Sequence, residues 1–152
     1  MERIYFQATP GQCDWAFRQL IAQNPRAAVI PGTGGLMPEL SMLDQILYPC
    51  LIAGRKRHEI LAELQDISPV PIHRLHDLPV RSREPIRDWA VLLRTLIIRP
   101  ETIVVNGFFD DRPGLLPRFL ELLPEDTKLI CLGTREPREP VAWTTIHKGG
   151  IP

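Results

Sequence analysis

The sequence has no excess of charge of either sign. Its 18 Lys+Arg residues balance 18 Asp+Glu residues, so it lacks the general attraction to phosphate on which nucleic-acid-binding proteins depend. It contains three cysteines, Cys13, Cys50 and Cys131, and no CxxC pair. Their odd number and wide spacing do not fit a disulfide framework or a zinc site and are typical of buried thiols in a reducing cytoplasm.

Long hydrophobic runs are also missing. The longest, at 46–53 and 89–98, are interrupted by Pro49 and Arg94 and are far shorter than the ~20 residues that span a membrane. The first fifteen residues are charged and polar where a secretory signal has an apolar run. These features predict a cytoplasmic protein.

What the sequence has in excess is proline. Sixteen prolines among 152 residues are about twice the usual frequency, which predicts short elements with abrupt ends. We expect strands at 4–7, 27–30, 102–105, 128–132 and 141–147, and helices at 14–23, after Ser41, at 55–67, at 86–98 and at 118–123. Pro49 is expected to bend or end the helix that follows Ser41. The alternation predicts a single α/β domain with a mainly parallel sheet and a helical insert at about 38–85.

Four segments in this order resemble ATP-binding cassette (ABC) ATPases. GGLMPELSMLDQILYP (34–49) is similar to the segment after the Q-loop, and LRTLIIRPETIVVNGFF (93–109) to the run that ends in the Walker B strand. KLICLGTRE (128–136) resembles the strand that carries the switch histidine, and WTTIHKGG (143–150) the strands that follow. The similarity covers about 8–150 and is nearest to lipid and organic-solvent-resistance importers. It implies a P-loop-NTPase-like fold with a reduced N-terminal β region.

The phosphate loop of that family is not preserved. In the family, glycines and a Gly-Lys-Ser/Thr triplet bind phosphates through backbone N–H groups, a lysine and a Mg²⁺-binding hydroxyl. In the matching stretch ATPGQCDWA, only Gly11 remains, the lysine falls on Asp14 and the hydroxyl on Trp15. The resemblance therefore implies a site whose local charge is reversed and whose metal position is filled by an indole.

The functional residues at the other family positions are replaced as well. The Q-loop glutamine falls on Gly32, the Leu-Ser-Gly-Gly-Gln stretch on SREPI (82–86) and the switch histidine on Arg135. The Mg²⁺-binding aspartate falls on Asn106 and the catalytic glutamate on Gly107. Each lost residue positions phosphate, holds Mg²⁺ or activates water in the family. We therefore expect no catalytic residue, no nucleotide site, no metal and no cofactor.

The resemblance implies a non-catalytic ABC-ATPase-like protein that serves as a binding or regulatory subunit of an ABC transporter. Its expected partners are a membrane permease or an intact ABC ATPase subunit, with a homodimer also open, on the cytoplasmic face of the inner membrane. The residues expected to face a partner lie within 36–60: Leu36, Met37, Leu40, Met42, Leu43, Tyr48 and Arg55. Two alternatives remain: residual ATP binding or weak ATPase activity through Gly11 and the helix that follows it, and a decaying gene product.

Three further motifs favour ordinary structural roles. Asp110-Asp111 precedes Arg-Pro-Gly, a turn composition that favours a solvated loop over a paired-carboxylate site. His73 and His76 form an HxxH in a proline-broken segment and are expected to be exposed or capping residues, since zinc prefers a fuller ligand set. The basic residues 55–57 favour a solvated face, with contact to acidic lipid headgroups or a partner as the alternative.

Overall fold

The computed structural model describes residues 2–137 and 141–149 and divides into two compact units. The first contains the described residues of 1–33 and 100–152, and the second contains residues 34–99. The chain thus leaves the first unit after Thr33 and returns to it at Pro100. The predicted insert at about 38–85 falls within the second unit.

The first unit is a five-stranded sheet in which every pairing is parallel, in the order β2-β3-β4-β1-β5. Its elements are β1 (Arg3–Gln7), α1 (Pro10–Gln23), β2 (Ala28–Ile30), β3 (Thr102–Asn106), α5 (Leu115–Leu122), β4 (Lys128–Gly133) and β5 (Thr145–Lys148). The remaining helices, α2 to α4, belong to the second unit. This architecture confirms the predicted α/β fold with a mainly parallel sheet.

The central strands carry the apolar runs that parallel sheets require, because both faces of such strands are covered. Ile103, Val104 and Val105 of β3 are buried, and β4 is buried from Leu129 to Gly133. Helix α1 packs on this sheet through a cluster in which Cys13 and Ala16 are buried together with side chains of three strands. The strand side of that cluster consists of Phe6, Val104, Ile130 and Leu132.

Three predicted boundaries in the first unit were wrong. Helix α1 begins at Pro10 rather than at residue 14, and α5 begins at Leu115 rather than at residue 118. Both helices place a proline in their first turn, where the missing N–H has no helical partner to lose. Strand β5 is shorter than the predicted 141–147, and Gly150, which closes the predicted glycine pair, lies outside the described residues.

The second unit is helical. It contains α2 (Met42–Ile52), α3 (Arg57–Ile67), α4 (Glu84–Ile97) and two short 3₁₀ helices, Ile72–His76 and Pro79–Arg81. Helix α2 packs against α4 and against the first 3₁₀ helix, and its core includes Ile46, Leu47, Leu92 and Leu93. Ser41 caps α2, as predicted, by accepting a hydrogen bond from the Asp44 N–H.

Pro49 was predicted to bend or end α2. It does not end the helix, which continues to Ile52. A proline inside a helix removes one backbone hydrogen bond. Here burial of Ile46, Leu47 and Cys50 on one side of α2 outweighs that loss, since each fully buried side chain of this size contributes about 1.5–3 kcal/mol.

Candidate functional site

The carboxyl ends of the parallel strands meet at one edge of the sheet, where open α/β folds place their ligands. A cavity of about 380 Å³ opens there. It is bordered by the start of α1, by the residues after β2, and by the last residues of β3 and β4 with those that follow them, all in the first unit. The lining residues are Pro10, Cys13, Asp14, Pro31, Gly32, Thr33, Asn106, Gly107, Asp110, Gly133 and Thr134.

The junction between β1 and α1 is the first determinant of this site. Only Ala8 and Thr9 separate the last residue of β1 from the first residue of α1. Thr9 caps the helix: its side chain accepts from the Gln12 N–H, and its own N–H donates to Gln12 Oε1 at 3.0 Å. This capping box occupies donors that a phosphate would need, and Pro10 has no N–H to offer.

Asp14 lines the cavity and is held there by an amide. Its Oδ1 accepts a hydrogen bond of 2.9 Å from Asn106 Nδ2. The two residues that the sequence resemblance aligned with the family's lysine and its Mg²⁺-binding aspartate therefore contact each other directly. Trp15, in contrast, does not line the cavity and is 51% exposed. The expectation that its indole fills the metal position was wrong, because one helical step beyond Asp14 turns the side chain to solvent.

Gly32 and Gly107 set the backbone around Asn106. A Cβ on Gly32 would lie 3.1 Å from the Asn106 carbonyl oxygen, so the turn after β2 approaches β3 closely only because it lacks a side chain. Gly107 has a φ of 75°, a left-handed conformation that glycine adopts without strain. Its N–H donates to the Leu132 carbonyl at 2.8 Å, which ties the end of β3 to β4.

Asp110 lines the cavity and makes a tertiary contact that sequence reasoning missed. The prediction of a solvated loop holds for exposed Asp111 and is wrong for Asp110, which is half-buried. Asp110 Oδ2 accepts hydrogen bonds of 3.1 Å from both the N–H and the hydroxyl of Thr134. Its partner is 24 residues away in sequence, and no local pattern reveals such a pairing.

Tyr5 completes this cluster. Its hydroxyl donates to the Arg135 carbonyl at 2.6 Å. Burial, followed by the nearby charge of Asp110, raises the pKa of Tyr5 well above its ordinary value, so the phenol stays protonated and remains a donor. Gly133 makes the packing possible, because a Cβ there would lie 2.7 Å from Asp110 Oδ1 and 2.9 Å from Tyr5 Cζ.

Arg135, the family position of the switch histidine, does not line the 380 Å³ cavity. Its side chain is 58% exposed, and its Nη2 lies 3.5 Å from Asp111 Oδ1. It borders a smaller cavity of about 60 Å³ beside Tyr5, Phe109 and Trp143. Its cationic charge is therefore paired with an acid outside the 380 Å³ cavity.

The charge balance of the 380 Å³ cavity decides its chemistry. It is lined by two carboxylates, Asp14 and Asp110, and no lining residue is Lys, Arg or His. Burial, with the charges of Asp110 and Asp14 in addition, raises the pKa of the Cys13 thiol, so the one lining cysteine is held in its neutral form. Within residues 2–137 and 141–149, no group of three or more His, Cys, Asp or Glu side chains is arranged to hold a metal ion. The arrangement disfavours polyphosphate, since two unit charges of like sign at 4 Å repel by about 4 kcal/mol at an effective dielectric constant of about 20.

The residues predicted to face a partner lie in the second unit and divide into two groups. Leu36, Met37, Leu40 and Tyr48 have partly or largely exposed side chains. Met42 and Leu43 are buried, with 0% and 2% exposure, because they form the inner side of the first turn of α2. For these two, a role on an exposed surface was wrong.

The side chain of Arg55 also makes hydrogen bonds within the second unit. Its guanidinium donates to the Ile97 carbonyl at 2.6 Å and to the carboxylate of Glu63, which also accepts from Arg99. Partial burial raises the pKa of Glu63, but the hydrogen bonds and charges of Arg99 and Arg55 outweigh it, so the net pKa is lowered. Arg55 thus joins α2, α3 and α4 instead of facing solvent as a free cation.

Two side chains that sequence reasoning missed fix the segment 34–40. The amide of buried Gln45 accepts from the Met37 N–H at 2.6 Å and donates to the Met37 and Leu40 carbonyls at 2.7 and 3.0 Å. Arg94 donates to the carbonyls of Gly34 and Gly35 at 2.7 and 3.1 Å. This segment is therefore held in one conformation while the Met37 side chain stays 51% exposed.

Across the described part of the chain, every helix is too short or too polar to cross a lipid bilayer.

No protein-family model matches this sequence, and no curated protein matches it either. Solved structures do match. The ATP-binding subunit of an ABC transporter superposes with a TM-score of 0.69 at 14% identity, over 87% of this chain and 68% of the other. The dimeric bacterial ABC transporter cassette MJ0796 gives 0.68 at 10% identity, over 88% and 75% of the two chains. The same cassette in a post-hydrolysis dimer with ADP and Pi gives 0.66 at 14% identity, over 89% and 75%. The chain therefore has the fold of the ATP-binding cassettes of ABC transporters.

Proposed function

We propose that this protein is a degenerate, non-catalytic relative of the ABC ATPases that acts by binding a component of an ABC transporter. The observation that carries the proposal is the junction at the start of α1. A two-residue connection closed by the Thr9 capping box replaces a phosphate loop, and Asp14 contributes negative charge where the family has a lysine. Fold similarity to ATP-binding cassettes supports the choice of partner class.

The capping box also weakens the case for residual ATP binding at Gly11. A helix N-terminus binds anions through its free N–H groups. In α1 the Gln12 N–H is bonded to Thr9 and Pro10 has none, so the first turn has few donors left for a phosphate. Asp14 and Asn106, which the resemblance aligns with the family's phosphate-binding lysine and Mg²⁺-binding aspartate, are hydrogen-bonded to each other.

The proposed contact residues, called here the pinned-loop surface, are exposed Met37, Tyr48 and Ile52 together with half-buried Leu36 and Leu40. The first three are 51%, 43% and 87% exposed. Tyr48 and Ile52 are four residues apart on α2 and so share one helix face. Because Gln45 and Arg94 hold the segment 34–40 in place, a partner would find this surface already ordered, which lowers the entropy cost of association.

The partner we propose is a membrane permease or an intact ABC ATPase subunit, and binding to it would place the chain at the cytoplasmic face of the inner membrane. A homodimer is a second possible assembly, given that the similar cassette MJ0796 is dimeric in both of its structures.

Site-specific photo-crosslinking in cells tests this proposal. A benzophenone amino acid at position 48 should give crosslinks to a permease or an intact ABC ATPase, identified by mass spectrometry. The same group at Gln19, an exposed position on α1, is the matched control and should not. Equal crosslinking at both positions, or products that contain only proteins unrelated to transport, would contradict the proposal.

A further inference from the structure

The cavity of about 60 Å³ beside Tyr5 has no part in the function proposed above. It offers about four to six times the space that one water molecule needs, so it has room for a group of several heavy atoms. Its lining residues all belong to the first unit. Most of them are apolar or aromatic, and the charged ones are Asp110, Arg135 and Glu136.

Three aromatic rings, those of Tyr5, Phe109 and Trp143, line this aromatic cavity. The rings of Tyr5 and Trp143 have centroids 5.1 Å apart and are inclined by 52°, so they form a corner rather than a flat stack. Tyr5 and Phe109 are 7% and 8% exposed, which shelters their rings from water. Aromatic rings grouped around a small space bind quaternary ammonium ions, because each ring face carries partial negative charge.

The rings are held in place before a ligand binds. The Tyr5 hydroxyl donates to the Arg135 carbonyl at 2.6 Å. Next to Trp143, the Thr144 N–H donates to the Arg3 carbonyl at 2.8 Å, and the Arg3 N–H donates to Thr144 Oγ1 at 3.0 Å. Because these bonds fix both sides of the corner, a ligand would not have to order them, which lowers the cost of binding.

The charged residues of the lining favour a cation over an anion. Asp110 and Glu136 are acidic, and Arg135 is the one basic residue among those that line the cavity. The Arg135 side chain is 58% exposed, and its Nη2 lies 3.5 Å from Oδ1 of Asp111, which does not line the cavity. Acidic side chains beside aromatic faces strengthen the attraction for a cation.

The indole of Trp143 adds a requirement for a hydrogen-bond acceptor. Its Nε1 nitrogen is buried and, in the part of the chain that the structure describes, has no hydrogen-bond partner. An indole nitrogen can only donate, and buried donors in folded proteins are normally paired. A ligand with an oxygen atom close to its cationic group would satisfy this donor.

We propose that the aromatic cavity binds a small choline-type cation, in which a trimethylammonium group and a hydroxyl are joined by a short carbon chain. The three rings, Asp110 and Glu136 would surround the ammonium group, and Trp143 Nε1 would donate to the hydroxyl oxygen. A trimethylated lysine side chain fits less well, because it has no oxygen near its ammonium group. A phosphocholine headgroup shares the ammonium group but adds a phosphate beside two acidic residues.

Calorimetric titration of the full chain with choline tests the proposal. We expect saturable binding with a dissociation constant below about 1 mM. The neutral isostere of choline, in which carbon replaces the nitrogen, has the same shape and should bind at least about 10-fold weaker because it lacks the charge. Tetramethylammonium lacks the oxygen and should bind several-fold weaker than choline.

Three variants assign the binding to this cavity. Trp143→Phe keeps a ring face and removes the N–H, so it should weaken choline binding several-fold and leave tetramethylammonium binding unchanged. Glu136→Gln, at an exposed position, should weaken both cations several-fold and leave the neutral isostere unchanged. Trp15→Phe is the matched control, because Trp15 is 51% exposed and does not line the cavity; it should change none of these affinities.

Three results would overturn the proposal: no saturable binding of choline, equal binding of choline and its neutral isostere, or no greater loss in Trp143→Phe than in Trp15→Phe. Phosphatidylcholine vesicles and a peptide that contains trimethyllysine separate the other sources of the same ammonium group. If either bound at least about 10-fold more tightly than choline, the cavity would belong to a lipid headgroup or to a modified protein, and the assignment to a free small cation would be wrong.

Discussion

Replacing Gly133 by alanine tests the geometry at the sheet edge. The added Cβ would lie 2.7 Å from Asp110 Oδ1 and 2.9 Å from Tyr5 Cζ, and closer still to the Tyr5 hydroxyl oxygen. Contacts under 3 Å force the neighbours to move, and both neighbours are held by hydrogen bonds, Tyr5 to the Arg135 carbonyl and Asp110 to Thr134. The substitution therefore overpacks a site that cannot relax freely.

The expected cost has two parts. Overpacking of a well-packed site costs about 1–3 kcal/mol, and loss of the hydrogen bond from Tyr5 to the Arg135 carbonyl adds about 1 kcal/mol. We expect Gly133→Ala to lower the free energy of unfolding by about 3 kcal/mol, measured by urea unfolding monitored by circular dichroism. In the Tyr5→Phe background the closest contact disappears, so the same substitution should cost at least 1 kcal/mol less.

Gly11→Ala is the matched control, because nothing lies within 4 Å of a Cβ at that helical position. It should leave stability unchanged or raise it by up to about 1 kcal/mol, since alanine is the better helix former. A cost below 1 kcal/mol for Gly133→Ala, or equal costs with and without the Tyr5 hydroxyl, would refute the reasoning.

Three further predictions concern side chains in both units. Gln45→Leu removes the side-chain hydrogen bonds that fix Met37, so exchange of the Met37 amide hydrogen should accelerate at least 10-fold; unchanged exchange would show that the segment is fixed otherwise. Because the folded pKa of Glu63 is lowered, its stabilisation is present above the unfolded value and is lost as the pH falls through the folded pKa. Glu63→Gln should therefore cost about 1 kcal/mol at pH 7 and nothing at the acid end of a pH series of unfolding curves, whereas a pH-independent difference would contradict the role of the charge. Burial and then Asp110 raise the pKa of the Cys13 thiol, so Asp110→Asn should move the pH midpoint of iodoacetamide alkylation at Cys13 downward; a midpoint that stays or rises would refute this electrostatic contact.

The sequence was most informative where the chain is most apolar. The runs TIVV and KLICL predicted two central strands, and both are strands buried on a parallel sheet. Ser41 was identified as a helix cap from local chemistry alone, and the structure contains that hydrogen bond. Such features depend on residues close together in the chain, which is why a single sequence reveals them.

Some missed features were also local. Thr9 and Gln12 have the spacing of a capping box, which predicts that α1 begins at Pro10, directly after Thr9. With α1 beginning at Pro10, the connection from β1 consists of Ala8 and Thr9 alone.

Other features could not be predicted because they join distant segments. Asp110 meets Thr134 and Tyr5 only after β1, β3 and β4 have assembled. Arg55, which looks like a surface cation beside Lys56, is instead bonded to the Ile97 carbonyl 42 residues away. Tertiary contacts of this kind decide which polar residues remain free to act on a ligand or partner.

Isothermal titration calorimetry of the full chain with MgATP tests the central claim most directly. Two carboxylates, Asp14 and Asp110, line the cavity at the sheet edge, no lining residue is Lys, Arg or His, and only two residues connect β1 to α1. We predict no saturable heat of binding at ligand concentrations up to about 100 μM. A dissociation constant below that concentration, which corresponds to more than about 5.5 kcal/mol of binding free energy, would contradict the account.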